Sequence, residues 1–239
     1  MSDGFYELTL RLGSEHVDCF RRLRTSTLFS LLQNVSIRHT EQLGMGRDKT
    51  LDKGLLWVIA RQRVAVSRMP EYDERITLRS WPGITMRVLF PRHFEILSEG
   101  GESLLRASTL WTLMDMESRT TAFPDEHGVE IAGVETGREL PYLTKLRHLE
   151  TPNRFTFQVP YSYVDLNGHM NNTRYYDLVE DHLPAAGAGR ALREIQAEYS
   201  AEAMLGSTLT VDWGEEDGCV YLVGTDAQPC FRMNLTYAE

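Results

Sequence analysis

The chain has 239 residues, 42% hydrophobic and 25% charged, with 25 Lys and Arg against 34 Asp and Glu, for a net charge of −9. That length suits one large domain or two units of about 110–120 residues, each able to bury a core, and the composition excludes intrinsic disorder. The acidic balance excludes a general nucleic-acid binder, because phosphate contact needs a positive surface.

No apolar run approaches the ~18 residues a membrane span needs. The N-terminus passes directly into an alternating pattern and shows no basic-then-apolar signal sequence. Cys19, Cys219 and Cys230 are widely spaced and odd in number, which suits a reducing compartment and gives no metal pattern. These features predict a cytoplasmic protein without membrane segment, metal or cofactor, in which all three cysteines are structural.

Residues 5–12 alternate apolar and polar side chains, as a half-buried strand does. Residues 25–43 place Leu28, Leu31, Leu32, Val35 and Leu43 near helical spacing, and Gly44 stands where such a helix stops. Strand-like runs follow at 56–66, 75–81, 86–97 and 104–115, with turn signals at Pro70, Pro82-Gly83 and Gly100-Gly101. Residues 128–150 read as a connecting segment, mixed in charge and Gly-containing from Gly128 to Tyr142. The order then repeats: a strand at 154–160, a helix at 172–183, and strands at 191–200, 207–213, 220–225 and 231–237.

One strand, one helix and four strands, given twice, describe two α+β units in tandem, each an antiparallel sheet wrapped around a central helix. The units are assigned to residues 1–127 and 151–239. Individual residues support the duplication. Val17-Asp18 begins a segment that aligns without a gap on one beginning Val164-Asp165, and helix-capping residues then coincide: Thr25 or Ser26 with Asn172 or Thr173. In each half a strand, a turn bearing Met69 or Met204, and a second strand ending at Trp81 or Trp213 recur in that order.

Asp165-Leu166-Asn167-Gly168-His169-Met170-Asn171-Asn172 gathers an acid, three amides and an imidazole just before a helix. Gly168 permits a tight turn, and a helix start offers free N–H groups and a positive dipole end. The segment therefore holds a proton acceptor, groups to orient water or substrate, and donors for an oxyanion. An Asn/Gly-rich cap accounts for the same composition. The repeat favours the catalytic reading, because the first half carries Phe20 and Arg22 where the second carries Asn167 and His169. A duplicated enzyme with one working site has that asymmetry.

The run Asp165-x-Asn167-x-His169-x-Asn171-Asn172-x-x-Tyr175, followed by Tyr199-x-x-Glu202, closely resembles the acyl-acyl-carrier-protein thioesterases of plants and bacteria. Leu113-Met114-Asp115 followed by Arg119 matches too. The resemblance implies two hot-dog domains, the first forming most of an acyl-chain pocket and the second carrying catalytic Asp165, Asn167, His169 and Glu202. It also implies hydrolysis of fatty-acyl-carrier protein to free fatty acid and the holo carrier in fatty acid biosynthesis. Gly168, Asn171, Asn172, Trp57, Ile59 and Met114 are expected at the substrate, with Phe94 a further candidate for the pocket wall. Ala203 replaces a cysteine often found after the catalytic Glu, which excludes a Cys–His scheme there.

Thioester hydrolysis requires activation of an attacking oxygen and a hold on the carbonyl, since thiolate leaves readily. His169 with Glu202 is expected to activate water, and backbone N–H groups between Gly168 and Asn171 to bind the oxyanion. Asp165 either orients this network or attacks directly. An acidic carrier protein needs a local basic patch, and the densest clusters are Arg21, Arg22 and Arg24, and Lys145, Arg147 and His148. The competing readings are an acyl-CoA thioesterase of the same fold and a non-catalytic acyl-binding or dehydratase-like protein. Monomer and homodimer both remain open.

Overall fold

The computed structural model describes residues 4–142 and 146–238. Alternation builds strand β1 (Tyr6–Arg11), whose side chains are half-buried and exposed in turn. Helix α1 (Thr25–Gln42) buries Leu28, Phe29, Leu32, Val35, Ser36 and His39, a set spread around much of its circumference. A central helix requires that distribution. Gly44 ends it in the left-handed region at φ 78°. The Gly44 N–H donates to Glu41 O and the Met45 N–H to Thr40 O, so the last carbonyls are satisfied.

Strands β2 (Leu55–Val66), β3 (Arg75–Pro82), β4 (Leu89–Ser98) and β5 (Ser103–Asp115) follow, then a short helix α2 (Pro124–His127). The strand expected from residue 86 begins only at Leu89. Met86 and Leu89 exchange both backbone hydrogen bonds around Arg87, which takes φ 55°, so the chain reverses tightly at that point.

The second half contains β6 (Asn153–Gln158), α3 (Arg174–His182), α4 (Pro184–Gly187), β7 (Leu192–Tyr199), β8 (Thr208–Glu216), β9 (Cys219–Thr225) and β10 (Pro229–Tyr237). Helix α3 has 9 residues against the 18 of α1. Asn171 Oδ1 accepts from the Thr173 N–H and hydroxyl at 3.0 and 2.8 Å, which fixes where α3 starts. Leu183, extended ahead of Pro184, fixes where it stops. Its buried face is Tyr175, Tyr176, Leu178 and Val179.

All ten strands form one antiparallel sheet ordered β1-β3-β4-β5-β2-β7-β10-β9-β8-β6. The order reads alike from either edge once the second half is matched to the first, and β2 and β7 join the halves through pairs from Arg61–Glu198 to Ala65–Glu194. At the centre Phe29 stacks on Tyr176, centroids 3.8 Å apart and planes within 2°. These two residues occupy matching places in the aligned halves, so a pseudo-twofold axis passes between their rings. Gln62 of β2 meets the hydroxyls of Tyr176 and Tyr199 at 3.0 Å each, a buried polar link across the same seam.

The connecting segment is packed, not a loose tether. Val129, Ile131, Leu140 and Leu146 are buried. Glu139 accepts from the Trp81 indole N–H and from the Thr136 N–H.

Candidate active site

The segment before α3 is a closed turn. Val164 pairs with Met170, the Asp165 N–H donates to His169 O, and the Gly168 N–H donates to Asp165 O. Gly168 takes φ 82° with open space where a Cβ would stand, so backbone conformation and not crowding calls for glycine. The first half folds the same turn with Arg21 at φ 66°, a strained choice for a side chain. Asp165 Oδ1 accepts the Asn167 N–H at 2.8 Å and Oδ2 accepts the Asn171 side-chain amide at 3.0 Å. Its counterpart Asp18 likewise accepts the N–H groups of Phe20 and Arg22.

His169 and Glu202 are brought together because the turn is stitched to the segment after β7. His169 bridges Met204, and the Met170 N–H donates to Ala203 O at 2.7 Å. His169 Nε2 then lies 3.3 Å from Glu202 Oε1, with side chains 18% and 31% exposed. The separation is within reach, but the pair lacks the alignment of a formed hydrogen bond. Glu202 Oε1 also accepts from Arg119 Nη1 at 3.0 Å. Arg119 comes from the loop after β5 in the first half, so both halves contribute to the pair.

A cavity of about 340 Å³ holds this group, with Asn167, His169, Glu202 and Arg119 in its wall. Trp57, Ile59, Met114 and Asn172 line it as well. A second cavity of about 270 Å³ adjoins it, and Gln33, Leu56, Trp57, Trp111, Asp165 and Asn167 border both. This one is apolar and drawn mostly from the first half, with Ile37 of α1, Phe90, Trp111 and Ile131 among its walls.

Ile59 and Met114 thus border the polar cavity and not the apolar one, while Gly168 lines neither and serves the turn. Phe94 is 1% exposed within the core and reaches neither cavity. Asn171 borders the apolar cavity, but its amide is spent on Asp165 and Thr173.

One expectation is narrowed. The backbone N–H groups of Gly168, Met170 and Asn171 donate to Asp165, Ala203 and Tyr163 oxygens, so the turn consumes three of the four donors assigned to an oxyanion and leaves that of His169. The basic clusters are also largely engaged. Arg22 pairs with Asp18 at 3.1 Å, Arg24 donates to Val17 O, Arg21 lies over Tyr72, and Arg147 pairs with Glu216. Lys145 lies outside the described residues. Arg92 carries its cation into the apolar cavity wall almost fully buried, and burial lowers its pKa to about 10. It donates to His39 Nδ1, Ser80 and Thr40, and burial followed by that cation pushes His39 down to about 4. Sequence patterning did not single out Gln33, Arg92 or the helix face of α1, because each acquires meaning only from what it faces.

Among the described residues no group of three or more His, Cys, Asp or Glu side chains could hold a metal ion, and no helix is long and apolar enough to cross a membrane.

The acyl-ACP thioesterase N-terminal domain model matches residues 5–128 and the C-terminal domain model residues 146–227. The chain belongs to the acyl-ACP thioesterase family. A chloroplastic acyl-[acyl-carrier-protein] hydrolase of Cuphea viscosissima is 25% identical over 89% of this chain and 57% of its own length. A chloroplastic palmitoyl-acyl carrier protein thioesterase of Cuphea hookeriana is 24% identical over 84% of the chain and 53% of its own. The chain thus spans about half the length of the curated relatives it matches. Among solved structures, an acyl-ACP thioesterase from Bacteroides thetaiotaomicron superposes with a TM-score of 0.86 at 21% identity, covering 99% of this chain and 98% of that one. The 12:0-ACP thioesterase of Umbellularia californica gives 0.85 at 21%, covering 100% and 98%. The likeness to these structures establishes the tandem hot-dog fold of this acyl-ACP thioesterase family member.

Proposed function

We propose that this chain hydrolyses the thioester of fatty-acyl-carrier protein, releasing free fatty acid and the holo carrier in fatty acid biosynthesis. The observation that carries this reading is the 3.3 Å approach of His169 to Glu202 in a cavity that opens onto an apolar one. Family membership supplies the substrate class. The acyl chain lies along α1, Phe90 and Trp111, and the thioester sits beside His169. The His169–Glu202 pair takes a proton from water onto the imidazole as the water oxygen adds to the carbonyl carbon. Asn167, whose side-chain amide is free of partners among the described residues, orients that water. Collapse of the adduct breaks the C–S bond, and the imidazolium returns its proton to the departing sulfur. Glu202, held by Arg119, stabilises the imidazolium. Asp165 is an orienting group, since both its oxygens already accept hydrogen bonds from the turn.

Further parts of the reading are that residues 1–127 form the pocket domain and 151–239 the catalytic one, with 128–150 connecting them. The protein works in the cytoplasm as monomer or homodimer, without a cofactor, and meets its acidic carrier through a local basic patch. The test is thiol release from acyl-carrier-protein substrates of graded chain length, with acyl-CoA in parallel. His169→Ala is expected to lower kcat by about 10²- to 10⁴-fold. Equal rates for variant and parent overturn the site, and CoA substrates turned over in preference to carrier-protein ones overturn the partner.

A further inference from the structure

Three of the four backbone donors expected at the oxyanion are spent within the turn, leaving only the His169 N–H, which raises the question of what else holds the carbonyl. The pseudo-twofold answers it by comparison. The alignment that places Asp18 on Asp165 and Arg22 on His169 also places Thr25 on Asn172 and Gln33 on Glu180. Hydrogen bonding repeats at the matched places: Asp18 N–H to Arg22 O with Asp165 N–H to His169 O, and Leu23 N–H to Pro70 O with Met170 N–H to Ala203 O. Each half's helix therefore presents one side chain to the other half's turn.

In the idle half, Thr25 and Glu180 form a bonded pair: the hydroxyl donates to Glu180 Oε1 at 2.5 Å. Their counterparts in the working half, Asn172 and Gln33, line the cavity of His169 and Glu202 and make no such bond. Asn172 Nδ2 is buried without a partner. The Gln33 side chain has no hydrogen-bond partner among the described residues, and it borders both the polar and the apolar cavity. A buried amide donor left unmade is costly unless something else satisfies it. An acyl chain in the apolar cavity places its carbonyl at the boundary where Gln33 stands.

We infer that the side-chain amides of Asn172 and Gln33 donate to the thioester carbonyl oxygen and hold the oxyanion, so that the first half completes the catalytic site through α1. The inference rests on the proposed hydrolase reading. As water adds to the carbonyl carbon, the C=O π electrons move onto an oxygen held by two N–H donors, and they return as the C–S bond breaks. Both donors are carried on backbone already formed before the reaction, one just ahead of α3 and one on the central helix, and donors placed in advance are the most effective.

The experiment compares parent, Asn172→Ala, Gln33→Ala and the near-isosteric Gln33→Glu in thiol release from acyl-carrier protein, with thermal unfolding alongside. Removal of either amide is expected to lower kcat by about 10²-fold with little change in KM. Gln33→Glu should lose at least as much, because a carboxylate faces the developing charge. Two acyl-pantetheine mimics isolate the carbonyl: a ketone with CH2 in place of sulfur, and a thioether with CH2 in place of the carbonyl. The variants should bind the ketone more weakly than the parent does and the thioether equally well. A parent that releases no thiol overturns the hydrolase reading itself. A working parent whose folded variants keep kcat within about threefold, or lose ketone and thioether binding alike, overturns the carbonyl role and leaves that reading standing. Should Asn172→Ala not fold, the Gln33 variants decide.

Discussion

At the scale of single residues, one asymmetry separates the two halves. Both halves build the same Asx-type turn, and Asp165 does for Asn167 what Asp18 does for Phe20, so the acid at this place is first a turn-maker. What differs is the residue directly after the left-handed position of Gly168 or Arg21: an imidazole beside Glu202 in one half, and a guanidinium closed on Asp18 in the other. Arg119 grips Glu202 from the first half while 46% exposed, so solvent screens the contact and its contribution is modest. Arg119→Ala is expected to lower kcat about fivefold, with Arg119→Lys recovering part of the loss. An unchanged kcat in steady-state thiol release shows that Glu202 needs no such clamp. Asn167 and His169 were legible because they belong to an unusual polar set just before a helix, whereas Glu202, after β7, was reached only through the family resemblance. Asn172 was legible as a residue but not as a donor, since only burial shows that its amide lacks a partner.

At the scale of elements, the two central helices share a role but not a length. Apolar spacing located α1 to within a residue, and Gly44 closed it as expected. The later start of α3 was not legible, because it depends on the Asn171 amide reaching Thr173. Its Glu180 gives a pH signature. Burial, partly offset by the bond from Thr25, lifts its pKa from 4.5 to about 7, and the neighbouring charges include Asp177, Asp18 and Arg22. The folded state therefore binds this proton more tightly than the unfolded chain. The associated stability is fully present below the ordinary value of 4.5 and is lost as pH rises through about 7. Glu180→Gln, which keeps an acceptor for Thr25 and cannot ionise, should match the parent in thermal unfolding at acid pH and exceed it at pH values above about 7. Parallel curves for the two proteins across that range exclude this site as a source of the pH dependence.

At the scale of the whole molecule, the two like units contribute differently. The apolar cavity comes mainly from the first and the His169–Glu202 pair from the second, and the walls of each cavity draw on both. A net charge of −9 opposes an acidic partner at long range, so the proposed carrier docking requires a local cationic surface. The proposal then predicts that KM for acyl-carrier protein rises severalfold between about 0.05 and 0.5 M salt, while that for acyl-pantetheine changes little. A KM for acyl-carrier protein that salt does not change excludes electrostatic docking.

By itself the sequence determined the tandem α+β plan, the duplicated turn and the half that carries the imidazole. Those features are written in periodicity, glycine placement and a local cluster of polar residues, all of which act over a few positions along the chain. Only the tertiary structure decided that the turn uses up most of its own N–H groups, that Arg119 reaches Glu202, and that Gln33 faces the opposite half's site. Each of these joins residues far apart in the chain across the pseudo-twofold seam. Hydrogen-bond satisfaction and burial exist only once the sheet has closed on both helices.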